Sequence, residues 1–327
     1  MTKLCLDSAL DRVAGPSPSL AVHLSKRVFV ARNIAMLELS PADGVMLPPV
    51  TPGAHIDIHL PNRGTRQYSL VTTGHGNSYT VVIKREETGR GGSIYLVEGV
   101  SIGDRLEISP PRNNFQLLED SPHSVLIAGG IGITPIYSMS QRLLTLGASW
   151  RMHVACKTRE DAVFVNELKA LDQVQFHFSG ESKGAPLDIE AVVAAAPSDA
   201  HIYCCGPPRM LQAFERAMAG RRADLAHVEH FAASRQSSLG GFSISLRSSG
   251  QILPVPTGSS ILDTLEAAGI SVSSSCRDGV CGACEVGVID GIPDHRDSVL
   301  SAQEREANDA IMVCCSGSSS DLLTLDL

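Results

Sequence analysis

Much that would define other protein classes is missing from this 327-residue sequence. No apolar run approaches the ~20 residues needed to cross a bilayer, so no membrane span is expected. Basic residues are not in excess: 27 Lys and Arg stand against 35 Asp and Glu, a formal net charge of −8. A nucleic-acid binder needs a basic face for phosphates, so that class is disfavoured. The opening stretch MTKLCLDSALDRVAG lacks the basic start and long apolar core of an export signal. Without export, the nine cysteines are not expected to form a disulfide framework. No long internal repeat is visible. These absences point to a cytoplasmic chain with reduced thiols. Its 43% hydrophobic and 19% charged residues give a globular composition, and its length suits two or three domains.

The cysteines are unevenly placed. Cys5 and Cys156 stand alone, Cys204 and Cys205 are adjacent, and the other five fall between Cys276 and Cys315. In SSCRDGVCGAC, four residues separate Cys276 from Cys281 and two separate Cys281 from Cys284; MVCCSG brings another pair downstream. This is the spacing of a plant-type 2Fe-2S site, in which three thiolates from one loop and a fourth from afar surround a small cluster. Gly279 and Gly282 would give the loop its unusual dihedrals, with backbone N–H groups turned toward sulfur. A zinc ribbon would show two CxxC knuckles, and only one is present. Cys314 is preferred to Cys315 as fourth ligand, on the expectation that neighbours in an extended segment point opposite ways.

Three textures divide the chain. Residues 20–119 alternate in short β-like runs (RVFVARNIAMLEL, AHIDIHL, RQYSLVTT, SYTVVIKRE, DRLEISPP) separated by Gly, Pro and Asn, which suggests an antiparallel β-barrel. Residues 120–231 alternate apolar strands with helical stretches, the pattern of a doubly wound α/β parallel sheet. One helix is expected after Thr134, with Thr as N-cap, Pro135 first and Gly147 as the stop. A second should run from near Pro207, with Leu211, Phe214 and Met218 on one side. Residues 232–241 read as a linker. Residues 242–327 open with the hairpin FSISLRSSGQILPVP and a helix capped by Ser260 and Asp263, and continue into the cysteine loop.

Two Gly-rich strand ends, LIAGGIGITP and YCCGPPRM, should meet at the carboxyl edge of the parallel sheet and form a ligand crevice. Gly129, Gly130 and Gly132 permit close backbone approach there. Cys205 is either a small buried residue at a strand end or a thiol beside a reacting ring. Lys157, Thr158 and Arg159 either reach ribose and phosphate or form a solvated loop. In the barrel, Arg66, Tyr68 and Ser69 could offer a guanidinium for phosphate and an aromatic face. Gly91, Gly92 and Ser93 could cradle an anion at a helix start, although each piece alone is equally an ordinary surface strand or turn.

The order RQYSL, GRGGS, AGGIGITP, CGP, CRDGVCGAC and MVC resembles the phthalate dioxygenase reductase family. Vanillate O-demethylase reductases are similar, down to a closing CCS…LDL. The likeness covers essentially everything from about residue 20. It implies a flavin-binding barrel, a nicotinamide-binding α/β domain of ferredoxin-reductase type and a C-terminal β-grasp (α+β) plant-type ferredoxin. Carried over by position, Arg66, Tyr68, Ser69, Lys84, Gly91, Gly92 and Ser93 would bind flavin. Gly130, Thr134, Cys205, Gly206 and Pro207 would line the nicotinamide site, and Phe231 would cover the flavin. The family uses FMN, and no adenine-binding insert follows GRGGS. NADH is preferred because no arginine cluster marks a 2′-phosphate. Electrons would run from NADH through FMN to the cluster and on to a Rieske-type terminal oxygenase, met transiently by a monomeric reductase. Asp278, Asp294 and Asp297 near the cluster loop either form part of a docking face or, as is commoner for charged loops, are solvated. The same path could serve a diiron monooxygenase or a cytochrome P450; a redox sensor is the alternative of another class.

Overall fold

Alternating apolar and polar side chains commit the first part of the chain to strands with one face toward a core. The structure, a computed structural model, describes residues 19–61, 64–72, 74, 76–181, 186–231 and 240–327. The leader up to residue 18 and most of the expected linker (232–239) lie outside these residues. Strands β1 (Leu20–Ala31), β2 (Ile34–Pro41), β3 (His55–Leu60), β4 (Gly64–Ser69), β5 (Tyr79–Lys84) and β6 (Arg105–Ile108) form one antiparallel sheet in the order β4-β3-β6-β1-β2-β5. A bridge between Leu70 and Val81 links its two ends, closing the expected barrel. Between β5 and β6 the short helix α1 (Gly92–Ile94) passes into a π-turn, Tyr95–Gly99.

The next layer is the expected α/β fold. Its elements are β7 (Ser124–Gly129), α2 (Ile133–Leu146), β8 (Trp150–Cys156), α3 (Val165–Leu168), β9 (Val174–Phe178), α4 (Ile189–Ala195), β10 (His201–Cys205), α5 (Pro208–Met218) and β11 (Ala226–Glu229). The parallel sheet runs β11-β10-β7-β8-β9, and every residue of β7 is buried, as a strand covered on both faces requires. Leu211, Phe214 and Met218 form the buried side of α5. Gly147 ends α2 in the left-handed region (φ 63°). The start of α2 differs from expectation. A tight turn over Gly130–Gly132 feeds straight into the helix, so Thr134 lies inside it and donates its hydroxyl to the Ile131 carbonyl (3.1 Å) instead of capping.

The last part holds β12 (Phe242–Leu246), β13 (Ile252–Val255), α6 (Ile261–Ala267), β14 (Glu285–Asp290), β15 (Pro293–Asp294), α7 (Ala302–Ala307), β16 (Ala310–Met312), β17 (Gly317–Ser318) and β18 (Leu322–Leu325). A mixed sheet, β13-β12-β18-β14-β16, supports α6, whose capping box of Ser260 and Asp263 is complete; this is the β-grasp arrangement.

The hydrophobic cores are not partitioned evenly. Ile34, Val71 and Val82 of the barrel share one cluster with Ile133, Ile136 and Met139 of α2. The last domain has its own cluster, built from Ile244, Leu265, Ile311 and Leu323 among others. Among the described residues no helix is long and apolar enough to cross a membrane.

Met139 is fully buried in the shared core. Met139→Ala should destabilise the joined barrel and α/β layers by about 2–5 kcal/mol. In denaturant-induced unfolding followed by circular dichroism, their transition should move to lower denaturant while that of the last domain stays in place. One transition shifted as a whole would show the cores to be coupled.

Candidate cofactor-binding site

The parallel sheet reverses its strand order between β7 and β10, and the turns after these two strands pack on each other. A Cβ on Gly132 would lie 2.3 Å from the Cys205 carbonyl oxygen, and one on Gly129 would lie 2.7 Å from Pro207. Glycine is therefore a steric requirement of this corner. Outside it opens a crevice of about 1580 Å³, whose wall includes Gly130, Gly206, Pro207, Phe231 and, from the barrel, Lys84. Lys157 also reaches it. Thr158 donates instead to Asp161 (2.7 Å), and Arg159 lies over the Phe178 ring. Two residues expected on the wall stand behind it: Thr134 is 2% exposed and Cys205 is fully buried.

The register of β10 on β11 sets Cys205 beside Glu229, with Sγ 3.9 Å from Oε2. Burial pushes the Glu229 carboxyl up to about 8 and the Cys205 thiol well above its usual value, so both are neutral at pH 7. Glu229 was not anticipated. Its only sequence signal is its place two residues before Phe231, and the contact depends on strand pairing that no local motif reveals.

On the barrel, Arg66 and Tyr68 sit one residue apart on β4 and Ser69 is buried at its end. Burial pushes the Tyr68 hydroxyl up to about 12. Arg66 donates Nη1 to the Thr65 carbonyl (2.8 Å), but its buried Nη2 has no partner. Its side chain crosses Gly92, where a Cβ would lie 2.7 Å from Nε. Gly91 takes φ 74° at the start of α1, and Ser93 Oγ accepts from the Glu86 N–H (3.0 Å). A desolvated guanidinium with a spare donor beside a Gly-rich turn fits a phosphate group. Lys84 is exposed and pairs with Glu86 (2.6 Å).

In the cysteine loop Arg277, Gly279 and Gly282 all have positive φ (57°, 69° and 76°). Backbone N–H groups of Asp278 and Val280 are directed at the Cys276 sulfur, and that of Ala283 at Cys281. The Cys276 thiol hydrogen-bonds with those of Cys281 and Cys314, while Cys284 is 2% exposed close by. Among the described residues no three His, Cys, Asp or Glu side chains converge as a single ion would require. Four thiols from two segments, with amides turned toward sulfur, fit a two-iron cluster, which shares them between two metals.

The reason for separating Cys314 from Cys315 needs correction. This segment is a turn, not a strand, closed by hydrogen bonds from the N–H groups of Cys315 and Ser316 to the Met312 carbonyl (3.3 and 3.0 Å). Cys315 Sγ lies near Met312 O and Ser316 (3.8 Å each), over Gly279 and beside the Cys314 thiol, while the thiol in contact with Cys276 is that of Cys314. Of the three acids considered for a docking face, Asp297 is not on the surface. Asp297 is 1% exposed and accepts from the N–H groups of Val299 and Leu300 (3.0 and 2.8 Å). Asp278 and Asp294 are engaged by Arg90 and Arg296.

Comparison with known proteins accords with this geometry. Residues 126–216 match the family described as oxidoreductase NAD-binding domain, and residues 244–317 the 2Fe-2S iron-sulfur cluster binding domain. The chain is 47% identical to the phenoxybenzoate dioxygenase subunit beta of Ectopseudomonas oleovorans, over 94% of this chain and 97% of that one. It is 40% identical to a vanillate O-demethylase oxidoreductase of a Pseudomonas strain, covering 94% of this chain and all of the relative. A solved phthalate dioxygenase reductase, titled as a modular structure for electron transfer from pyridine nucleotides to 2Fe-2S, superposes with a TM-score of 0.76 at 34% identity, over 94% and 98% of the two chains.

Cys314→Ser should abolish the visible absorbance of the cluster and Cys315→Ser should keep it; the reverse pattern would exchange their roles. Glu229 gives a pH dependence of stability. Its folded value, about 8, lies above the ordinary 4.5, so its contribution is complete below pH 4.5 and is lost as pH rises through 8. In chemical denaturation between pH 5.5 and 8.5, Glu229→Gln should remove that part of the decline.

Proposed function

The chain belongs to the phthalate dioxygenase reductase family, and on that premise we propose that it is the NADH-dependent reductase component of a Rieske-type oxygenase system, working as a monomer. Residues 20–119 would hold FMN, 120–231 NADH and 242–327 the cluster. The observation that carries this reading is that one crevice takes wall from all three parts: Lys84 from the barrel, Gly130 and Gly206 from the α/β sheet, and Ser298, Leu300 and Arg305 from the cluster domain. A conduit needs its three stations to adjoin, whereas a sensor has no use for a nucleotide site at the junction.

Each residue has a definable task. Arg66 Nη2 and the Gly91-Gly92-Ser93 turn hold the flavin phosphate, while Tyr68, Ser69 and Lys84 flank the ring. Backbone N–H groups after β7 and β10 hold the pyrophosphate of NADH, which the helix starts at Gly130 and Pro207 make available. Phe231, 43% exposed on the crevice wall, shields the ring from water. Thr134 and the neutral Cys205–Glu229 pair shape the pocket from behind and place no charge beside the reacting carbon. Cys276, Cys281, Cys284 and Cys314 ligate the cluster. When bound, the flavin accepts two electrons as hydride and releases them singly, a conversion that nicotinamide and cluster cannot make directly.

Stopped-flow mixing with NADH should show flavin bleaching followed by cluster reduction at a rate compatible with turnover, and acid extraction should release FMN. A cluster that stays oxidised while the flavin bleaches would sink the conduit reading.

A further inference from the structure

The cluster domain has a core of its own, and two polar contacts from the barrel grip its cysteine loop. Ser275, which directly precedes Cys276, donates Oγ to Asp57 Oδ2 at 2.5 Å. Arg90 donates Nη2 to Asp278 Oδ2 at 2.5 Å and to the Cys276 carbonyl at 3.3 Å. The two grips differ in kind. Arg90 and Asp278 are both nearly half exposed, so solvent and salt screen their attraction. Asp57 is 3% exposed.

On the barrel side Asp57 accepts from Arg112 Nη2 (2.7 Å) and Gln67 Nε2 (3.0 Å), and its own N–H donates to Ser109 Oγ (3.0 Å). Burial alone would raise its carboxyl. Hydrogen bonds from Arg112, Ser275 and Gln67 outweigh that and hold it below the ordinary carboxylate range. A buried anion of this kind is costly unless its partners stay in place. The partner supplied by the other domain is the serine next to a cluster cysteine.

The contacts also fall on the segments that face the flavin. Asp57 pairs in register with Gln67, which lies between Arg66 and Tyr68. Strand alternation turns Gln67 to the opposite face from those two. Arg90 directly precedes the Gly91-Gly92-Ser93 turn. Each barrel segment assigned to the flavin thus has a neighbour holding the cluster loop.

We infer that Asp57 and Ser275, assisted by Arg90 and Asp278, are positioning residues that seat the cluster loop on the barrel and set the flavin-to-cluster electron-transfer rate while touching neither group. The step is a single-electron transfer: the reduced flavin loses one electron, one ferric iron of the cluster gains it, and NADH is the source of the reducing equivalents. The inference rests on the conduit reading above. Electron transfer between two centres falls steeply with their separation, so a loosened loop slows this step and leaves hydride transfer untouched.

The test uses holoprotein carrying flavin and cluster, as wild type, Ser275→Ala, Ser275→Thr and Asp57→Asn. In stopped-flow mixing with NADH, flavin bleaching should be unchanged in all four. Cluster reduction should slow by up to roughly tenfold in Ser275→Ala, the limit set by the tenfold shift in the seating equilibrium that losing a buried hydrogen bond of about 1.4 kcal/mol produces. It should slow in Asp57→Asn also and recover in Ser275→Thr. Hydrogen exchange, independent of activity, should quicken over residues 273–280 in Ser275→Ala, with the cluster absorbance and potential unchanged. Wild-type rate and exchange in both Ser275→Ala and Asp57→Asn would overturn the inference. So would slowing accompanied by a shifted cluster potential, which would make the serine part of the cluster site itself. A wild-type cluster that NADH never reduces would instead overturn the conduit reading.

Discussion

A partly buried guanidinium with one buried nitrogen unpartnered favours an anion beside it, and Arg66 is in that position. Leaving a buried donor unsatisfied costs about 1–3 kcal/mol, more when it is charged. Folding of the barrel creates this deficit deliberately. Gly92 lacks a side chain where Arg66 must cross, so the cation lies against the α1 turn and cannot reach bulk solvent freely. A phosphate group bound there would be fixed relative to β4. The crevice of the α/β sheet opens on Lys84 of the same barrel, and the cluster loop rests on the barrel at Asp57.

The two junctions in the chain obey different physics. Barrel and α/β sheet are joined by shared apolar packing, which is dense and intolerant of displacement. The relation between barrel and α/β sheet is therefore as rigid as a domain interior, which would suit a hydride passed directly between rings held on either side. The cluster domain is held through directional polar contacts at its cysteine loop. Such contacts can break and reform without exposing a core, and relative domain motion is the ordinary expectation for an interface of this type. Rigidity lies where two electrons move together, and adjustability where they move singly.

Much of this was legible in the sequence, for physical reasons that also mark where reading stopped. The barrel strands announced themselves by their period-two alternation, and the cysteine loop because three ligands from so short a segment tolerate few spacings. The start of α2 was misplaced because the Gly130–Gly132 turn continues directly into the helix, leaving Thr134 nothing to cap. Asp297 read as a surface acid, yet two backbone N–H groups and Arg305 take it inward. Cys314 was preferred to Cys315 on the premise of an extended segment that is in fact a turn. Glu229 and Asp57 were invisible for a shared reason. Each owes its environment to residues far away in sequence, across a parallel register in one case and a domain boundary in the other.

The separate core of the cluster domain has an evolutionary consequence. A unit with its own interior can be grafted, lost or exchanged without rebuilding its neighbours, since only a thin seam must match. Here that seam includes Ser275 and Asp278 on one side and Asp57 and Arg90 on the other. Selection on an exchanged module would act first on those positions, so descent should have kept them in step with one another more strictly than the surfaces around them.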